Sequence, residues 1–125
     1  MEDFNLVLRD LVEKDIPRLK QNLPESLKLN FEVTANNYLA KDQVLEAIKA
    51  FAITDNKEKL NEIGFNCIKK GQRELAFKAF CYSENKEGLS AVGIEFMKQG
   101  EVTKATEAFK LAENKEMVSF FTENF

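Results

Sequence analysis

The apolar positions of this chain recur every 29 residues. Residues 31–59, 60–88 and 89–117 align without gaps as three copies, and residues 118–125 begin a partial fourth copy. A strict period without insertions is typical of helical units that stack on their neighbours in one direction. Six positions are identical in all three copies: Ala47, Ala76 and Ala105; Ala50, Ala79 and Ala108; Phe51, Phe80 and Phe109; and the run Asn-Lys-Glu at 56–58, 85–87 and 114–116.

Each copy contains two apolar stripes with helical spacing. The first stripe of the middle copy follows the i, i+3, i+4, i+7 pattern of an amphipathic helix, on Leu60, Ile63, Gly64 and Cys67. Its central small residue (Ala35, Gly64 or Gly93) should let another helix approach closely. The second stripe carries two alanines and a phenylalanine, which predicts one large buried side chain per copy. We expect helices over 31–41, 43–55, 60–70, 72–84, 89–99 and 101–113, a short helix from 117, and no strand.

Two kinds of turn residue separate these helices. Asp42, Gly71 and Gly100 follow the first helix of each copy, where a left-handed residue ends a helix well. Asn56, Asn85 and Asn114 follow the second helix. Asparagine tolerates the left-handed conformation and also caps helix starts, and the sequence leaves both roles open.

Residues 1–30 do not continue the repeat, and we interpret them as a helical cap on its first copy, because terminal units of repeat arrays are usually atypical. Asp15 is suited to begin a short helix with Pro17 in its first turn, and Pro24 should separate that helix from the next. The next stripe starts at Leu27. An earlier helical stripe is formed by Phe4, Val7, Leu8 and Leu11.

Residues 31–125 resemble the tetratricopeptide-like (TPR-like) repeats. The matching positions are Leu60, Ile63 with Gly64, and Cys67 on the first helix (Tyr38 and Phe96 match better than Cys67), Gly71 and Gly100 at the turn, and Ala76, Phe80, Ser83, Ala105, Phe109 and Ala112 on the second helix. The resemblance implies an all-α fold, an α-solenoid of antiparallel helix pairs forming one structural domain. The period is shorter than the usual 34 residues, and Lys59, Gly88 and Met117 replace the customary proline. Short helical-hairpin solenoids of coat and trafficking subunits are also similar.

Composition narrows the classes of function. The net charge of −3 argues against nucleic-acid binding, and no stretch approaches the ~20 apolar residues that membrane insertion requires. The acidic start is interrupted by Arg9 and Asp10, unlike a secretory signal, so we expect a cytoplasmic protein. The chain has no histidine and no glycine-rich phosphate loop, and Cys67 and Cys81 lack a zinc spacing. We therefore expect no enzymatic activity, no cofactor and no metal.

The resemblance places a partner-binding surface on the first helices. It comprises Asn36, Leu39, Phe65, Ile68, Lys69, Ile94, Met97 and Lys98. These apolar positions differ between copies, unlike the core positions, and this variation favours contact with a partner. Two alternatives remain: that the side chains are core, or that the C-terminal segment covers them. We expect a protein-interaction module that binds a peptide or helix. The alternative is a structural subunit of a larger helical assembly or a self-associating scaffold, and homo-oligomers remain open.

Overall fold

The computed structural model describes residues 13–124, and these residues are helical throughout apart from short connections, with no strand. The predicted stripe at residues 4–11 and the in-phase Phe125 lie outside the described residues. After a 3-10 turn at Glu13–Asp15, the helices are α1 (Ile16–Asn22), α2 (Glu25–Ala40), α3 (Val44–Ile53), α4 (Lys57–Lys69), α5 (Arg73–Ser83), α6 (Lys86–Lys98), α7 (Val102–Leu111) and α8 (Lys115–Asn124). The prediction of an all-α chain is confirmed for this range.

The chain divides into two compact units, Met1–Leu60 and Asn61–Phe125. In the first unit, α3 packs against both α1 and α2. In the second unit, α6 packs against α5 and α7, and α7 also packs against α8. Each unit has its own apolar interior, with Ile48 and Phe51 fully buried in the first and Phe80 and Phe109 fully buried in the second.

The predicted helices are all present, but several of them start earlier than predicted. The helix expected from residue 31 begins at Glu25, directly after Pro24, whose backbone is extended. Pro17 lies in the first turn of α1, as predicted, although the Asp15 side chain makes no capping hydrogen bond there. The helices expected from 60, 89 and 117 begin at Lys57, Lys86 and Lys115.

The earlier starts follow from the asparagines, which act as helix caps. The side-chain oxygens of Asn56, Asn85 and Asn114 accept hydrogen bonds from the backbone N–H three residues later, at 3.1, 2.9 and 3.2 Å. This bond satisfies one of the N–H groups that a helix start leaves without a partner, so the helix begins at the residue after the asparagine.

Both turns of each copy contain a left-handed residue. At the first turn these are Asp42, Gly71 and Gly100, as predicted, with φ between 60° and 75°. In each case two hydrogen bonds close the helix end: at Gly71, its own N–H donates to the Ile68 carbonyl and the next N–H donates to the Cys67 carbonyl. This is the Schellman arrangement. The second turns end the same way, with the left-handed conformation at Asp55, Glu84 and Glu113.

The phenylalanines of the second helices are buried as predicted, and in the second unit they pack on glycines. Phe80 and Phe109 are fully buried, and so are the alanines beside them. A β-carbon added at Gly64 would lie 2.5–2.8 Å from ring atoms of Phe80, and one added at Gly93 would lie 2.7–3.0 Å from ring atoms of Phe109. These distances are too short for any side chain, so glycine is what allows each ring to lie against the first helix.

Candidate partner-binding face

Three large apolar side chains are exposed on the first helices of the second unit. Phe65 on α4 is 39% exposed, and Ile94 and Met97 on α6 are 41% and 37% exposed. Because Ile94 and Met97 are three residues apart, they share one side of α6. Ile68 lies at the corresponding place on α4 and is half-buried. The alternative that these residues belong to the core, or are covered by another described segment, therefore does not hold for Phe65, Ile94 and Met97.

Phe65 is held in place by the buried ring of Phe80. The two rings meet edge to face, with 4.8 Å between their centroids and an interplanar angle of 67°. The Phe80 ring also borders α6, because a β-carbon added at Gly88 would lie 2.3–2.6 Å from its atoms. One buried ring therefore contacts both helices that carry the exposed apolar residues. We call Phe65, Ile68, Ile94 and Met97 the apolar face.

Lysines stand at the C-terminal ends of the same two helices. Lys69 and Lys98 are exposed, each four residues after an apolar-face residue and therefore on the same side of its helix. The Lys98 ammonium lies 3.3 Å from the Glu95 carboxylate, an exposed pair of small expected energy. A positive charge at a helix C-terminus is stabilised by the helix dipole. The face therefore combines apolar area with cations at its edge.

Asn36 and Leu39 belong to the other compact unit. Asn36 is exposed on α2, and its side-chain amide donates to the Glu32 carbonyl one turn earlier at 3.0 Å. Leu39 is half-buried. The Glu32 carboxylate in turn accepts hydrogen bonds from the Asn56 amide at 3.2 and 3.3 Å. Part of this helix surface therefore holds the next asparagine cap in position.

The two cysteines occupy environments that suppress thiolate chemistry. Cys67 is buried, as predicted, and Cys81 is half-buried on α5. Burial raises the pKa of the Cys81 thiol to about 11, and the nearby Glu107 carboxylate raises it further, against a smaller lowering by Lys78. The predicted position beside Lys78 is therefore only part of the surroundings of Cys81, because Glu107 of α7 also lies close. The thiol is almost fully protonated at neutral pH.

Some exposed apolar residues lie outside the predicted surface. Leu111 on α7 and Phe120 on α8 are about half exposed, and Leu29 on α2 is 70% exposed. Leu111 could have been identified from the repeat, because α7 carries an apolar residue on a side of the helix that the Ala-Ala-Phe pattern does not use. Leu29 had no such signal, since it precedes the first copy.

No helix among residues 13–124 has the length and apolar content needed to cross a membrane. Within the same range, no three Cys, Asp or Glu side chains come together in an arrangement able to hold a metal ion. Comparisons of the chain with protein-family models, with curated proteins and with solved structures give no match.

Proposed function

We propose that this chain is a non-enzymatic protein-interaction module, built as a short TPR-like α-solenoid, whose apolar face binds a peptide or helix of a partner protein. The observation that carries the proposal is the exposure of Phe65, Ile94 and Met97 on first helices. Large apolar side chains that cluster at a surface commonly mark interaction sites.

The position of Phe65 supports this function because its ring is rigidly supported. Interface energy concentrates in a few well-packed aromatic and apolar anchors. Phe65 rests on a fully buried ring, so little side-chain freedom is left to lose when a partner covers it. Lys69 and Lys98 lie beside the anchors and favour a partner segment with acidic residues flanking its apolar ones.

The test is a binding measurement with Ile94→Glu combined with Met97→Glu. Both side chains are more than a third exposed, so the charges should be tolerated by the fold. A partner is first isolated by affinity capture, and its binding segment is then measured by calorimetry as a purified peptide. We expect the double variant to weaken binding by at least ~2 kcal/mol, about 30-fold.

Leu29→Glu is the matched control. Leu29 is more exposed than either test residue and lies on α2, outside the apolar face. It should leave the affinity of the same peptide unchanged. If the double variant, with an unchanged circular dichroism spectrum, binds the peptide as tightly as the parent chain does, the apolar face is not the binding surface.

The alternative proposal is a structural subunit that stacks with other chains. The half-exposed Leu111 and Phe120 favour it, because they lie away from the first-helix positions and would suit end-to-end contacts. Sedimentation of the purified chain over a wide concentration range distinguishes the two functions. A monomer at all concentrations supports the interaction module, and reversible oligomers abolished by Leu111→Glu support the stacking subunit.

A further inference from the structure

A groove of about 600 Å³ runs between α7 and α8, separate from the apolar face. Its walls include Val102, Thr106 and Leu111 of α7, and Phe121 and Thr122 of α8. Leu111 is 49% exposed there. No described residue outside these two helices lines the groove.

The corresponding place one copy earlier, between α5 and α6, is occupied by a helix. Residues 102 and 103 of the groove correspond, 29 residues earlier, to Arg73 and Glu74. The Arg73 guanidinium lies 3.8 Å from the Glu101 carboxylate, and Glu74 accepts a hydrogen bond from Lys104. Helix α7 and the residue before it therefore cover this part of α5.

A third contact supports the same arrangement. The Lys86 ammonium lies 2.6 Å from the Glu113 carboxylate, so the start of α6 and the end of α7 are also joined. The hydrogen bond from Lys86 lowers the pKa of Glu113, in agreement with a pair formed between ionised groups. Position 86 corresponds to Lys115, at the start of α8. The groove thus has the walls of a helix-binding place that is filled one copy earlier.

One residue distinguishes the two places. Phe109 of α7 lies against Gly93 of α6, where a β-carbon would be 2.7–3.0 Å from its ring. The corresponding residue of α8 is Thr122, whose hydroxyl donates to the Val118 carbonyl at 2.9 Å. A helix seated on α8 as α7 is seated on α6 would force a phenylalanine ring into the β-carbon of Thr122.

We propose that the groove between α7 and α8 binds an amphipathic helix of a partner protein, and that Thr122 selects a helix with a small residue where α7 has Phe109. A second copy of this chain is a poor occupant, because each of its second helices carries phenylalanine at this position, as Phe51, Phe80 or Phe109. The partner helix has alanine, serine or glycine there, and apolar residues beside it that cover Leu111 and Val102.

The charges at the groove fit such a helix. Glu107 and Lys110 both line it, so a partner helix with an apolar stripe flanked by residues of both signs would be complementary. Thr106 does not require a polar partner, because its hydroxyl already donates to the Val102 carbonyl at 2.8 Å. Apolar contact with the helix can therefore cover Thr106 without leaving its hydroxyl unsatisfied.

The experiment uses two peptides with the sequence of residues 102–113, one with the native phenylalanine at position 109 and one with alanine there. Isolated helices of this length are unstable in water, so both carry a lactam between positions 103 and 107, which are exposed in the chain. Fluorescence polarisation measures their binding to the full chain. We expect the alanine peptide to bind more tightly by about tenfold, because the phenylalanine peptide overpacks against Thr122.

Thr122→Gly should reverse this preference, because it restores the arrangement at Gly93. Thr122→Ala is the matched control: it removes the hydroxyl, keeps the β-carbon, and should still prefer the alanine peptide. Leu111→Glu should abolish binding of both peptides. Ile94→Glu with Met97→Glu should leave it unchanged, so that failure of this proposal is distinguishable from failure of the apolar face.

Three outcomes overturn the proposal. The first is the absence of binding by either peptide to both the parent chain and Thr122→Gly. The second is equal binding of the two peptides to the parent chain, which would remove selection by Thr122. The third is self-association of the chain that Leu111→Glu abolishes, which would make a second copy the occupant.

Discussion

The contact between Phe80 and Gly64 predicts strong energetic coupling between the two positions. Replacing Phe80 by alanine removes a fully buried ring, and such changes cost about 3–5 kcal/mol. Replacing Gly64 by alanine has two opposing effects in the parent chain. Alanine favours the helical backbone by about 1 kcal/mol. Its β-carbon would lie 2.5–2.8 Å from the ring, however, and overpacking of this kind costs about 1–3 kcal/mol.

The ring cannot retreat from the new methyl group, because it lies equally close to Gly88 on α6. The overpacking cost should therefore be near the upper end of its range, and Gly64→Ala should destabilise the parent chain by about 1–2 kcal/mol. In the Phe80→Ala background the obstacle is absent, and the same change should stabilise the chain by about 1 kcal/mol. The expected coupling energy is about 2–3 kcal/mol, a value typical of residues in contact.

Urea denaturation of the four chains, followed by far-ultraviolet circular dichroism, measures this coupling. Gly71→Ala is the control, because Gly71 has a φ of +74° and no atom near its added β-carbon. It should cost about 1–2 kcal/mol with or without Phe80, through backbone strain alone. If Gly64→Ala and Phe80→Ala are additive within ~0.5 kcal/mol, the ring does not pack on Gly64 as described.

Two further predictions follow from local contacts. Aspartate caps helices as well as asparagine does, but Asn56→Asp would put a carboxylate against Glu32 and should cost about 1–2 kcal/mol in urea denaturation, while Asn114→Asp should change little. Capping loss of equal size at both positions would contradict this. The raised pKa of Cys81 should make alkylation of the native thiol at pH 8 about 100-fold slower than in the unfolded chain, and Glu107→Gln should speed it. Between pH 9 and 11 the native chain retains a proton that the unfolded chain releases, so the contribution of Cys81 to stability falls as pH rises. A native rate that levels off near pH 9 would contradict the raised pKa.

The core could be predicted from the sequence because a buried side chain leaves a periodic signal. The identical alanines and phenylalanines are fully buried, and Gly64 and Gly93 face aromatic rings, as the stripe predicted. Helix boundaries were less accessible, because they depend on single hydrogen bonds. The sequence offered two roles for Asn85, and its extended backbone with a capping side chain excludes the left-handed one. The left-handed residue is Glu84 instead, a type that rarely adopts this conformation.

The candidate site was less predictable than the core. Helical periodicity gives the direction in which a side chain leaves its helix, but not whether a neighbouring helix covers it. Phe77 shows the difficulty. It is half-buried and its ring lies 6.1 Å from that of Phe96, edge to face, whereas its counterpart Thr106 faces an open groove. The two positions share a phase in the repeat, and only the presence or absence of the next helix separates their surroundings.

The identical positions of the repeat explain why the first-helix surface can vary. The alanines and the phenylalanine of a second helix fix how closely it approaches its neighbours, and the asparagine that follows fixes the residue at which the next first helix starts. Together they determine which side of that first helix points away from the core. Asn36, Phe65 and Ile94 occupy one such outward position and are all exposed, although their side chains differ in size and polarity. Because the backbone does not depend on these side chains, they can change without loss of the fold, and a surface of this kind can be adapted to a particular partner.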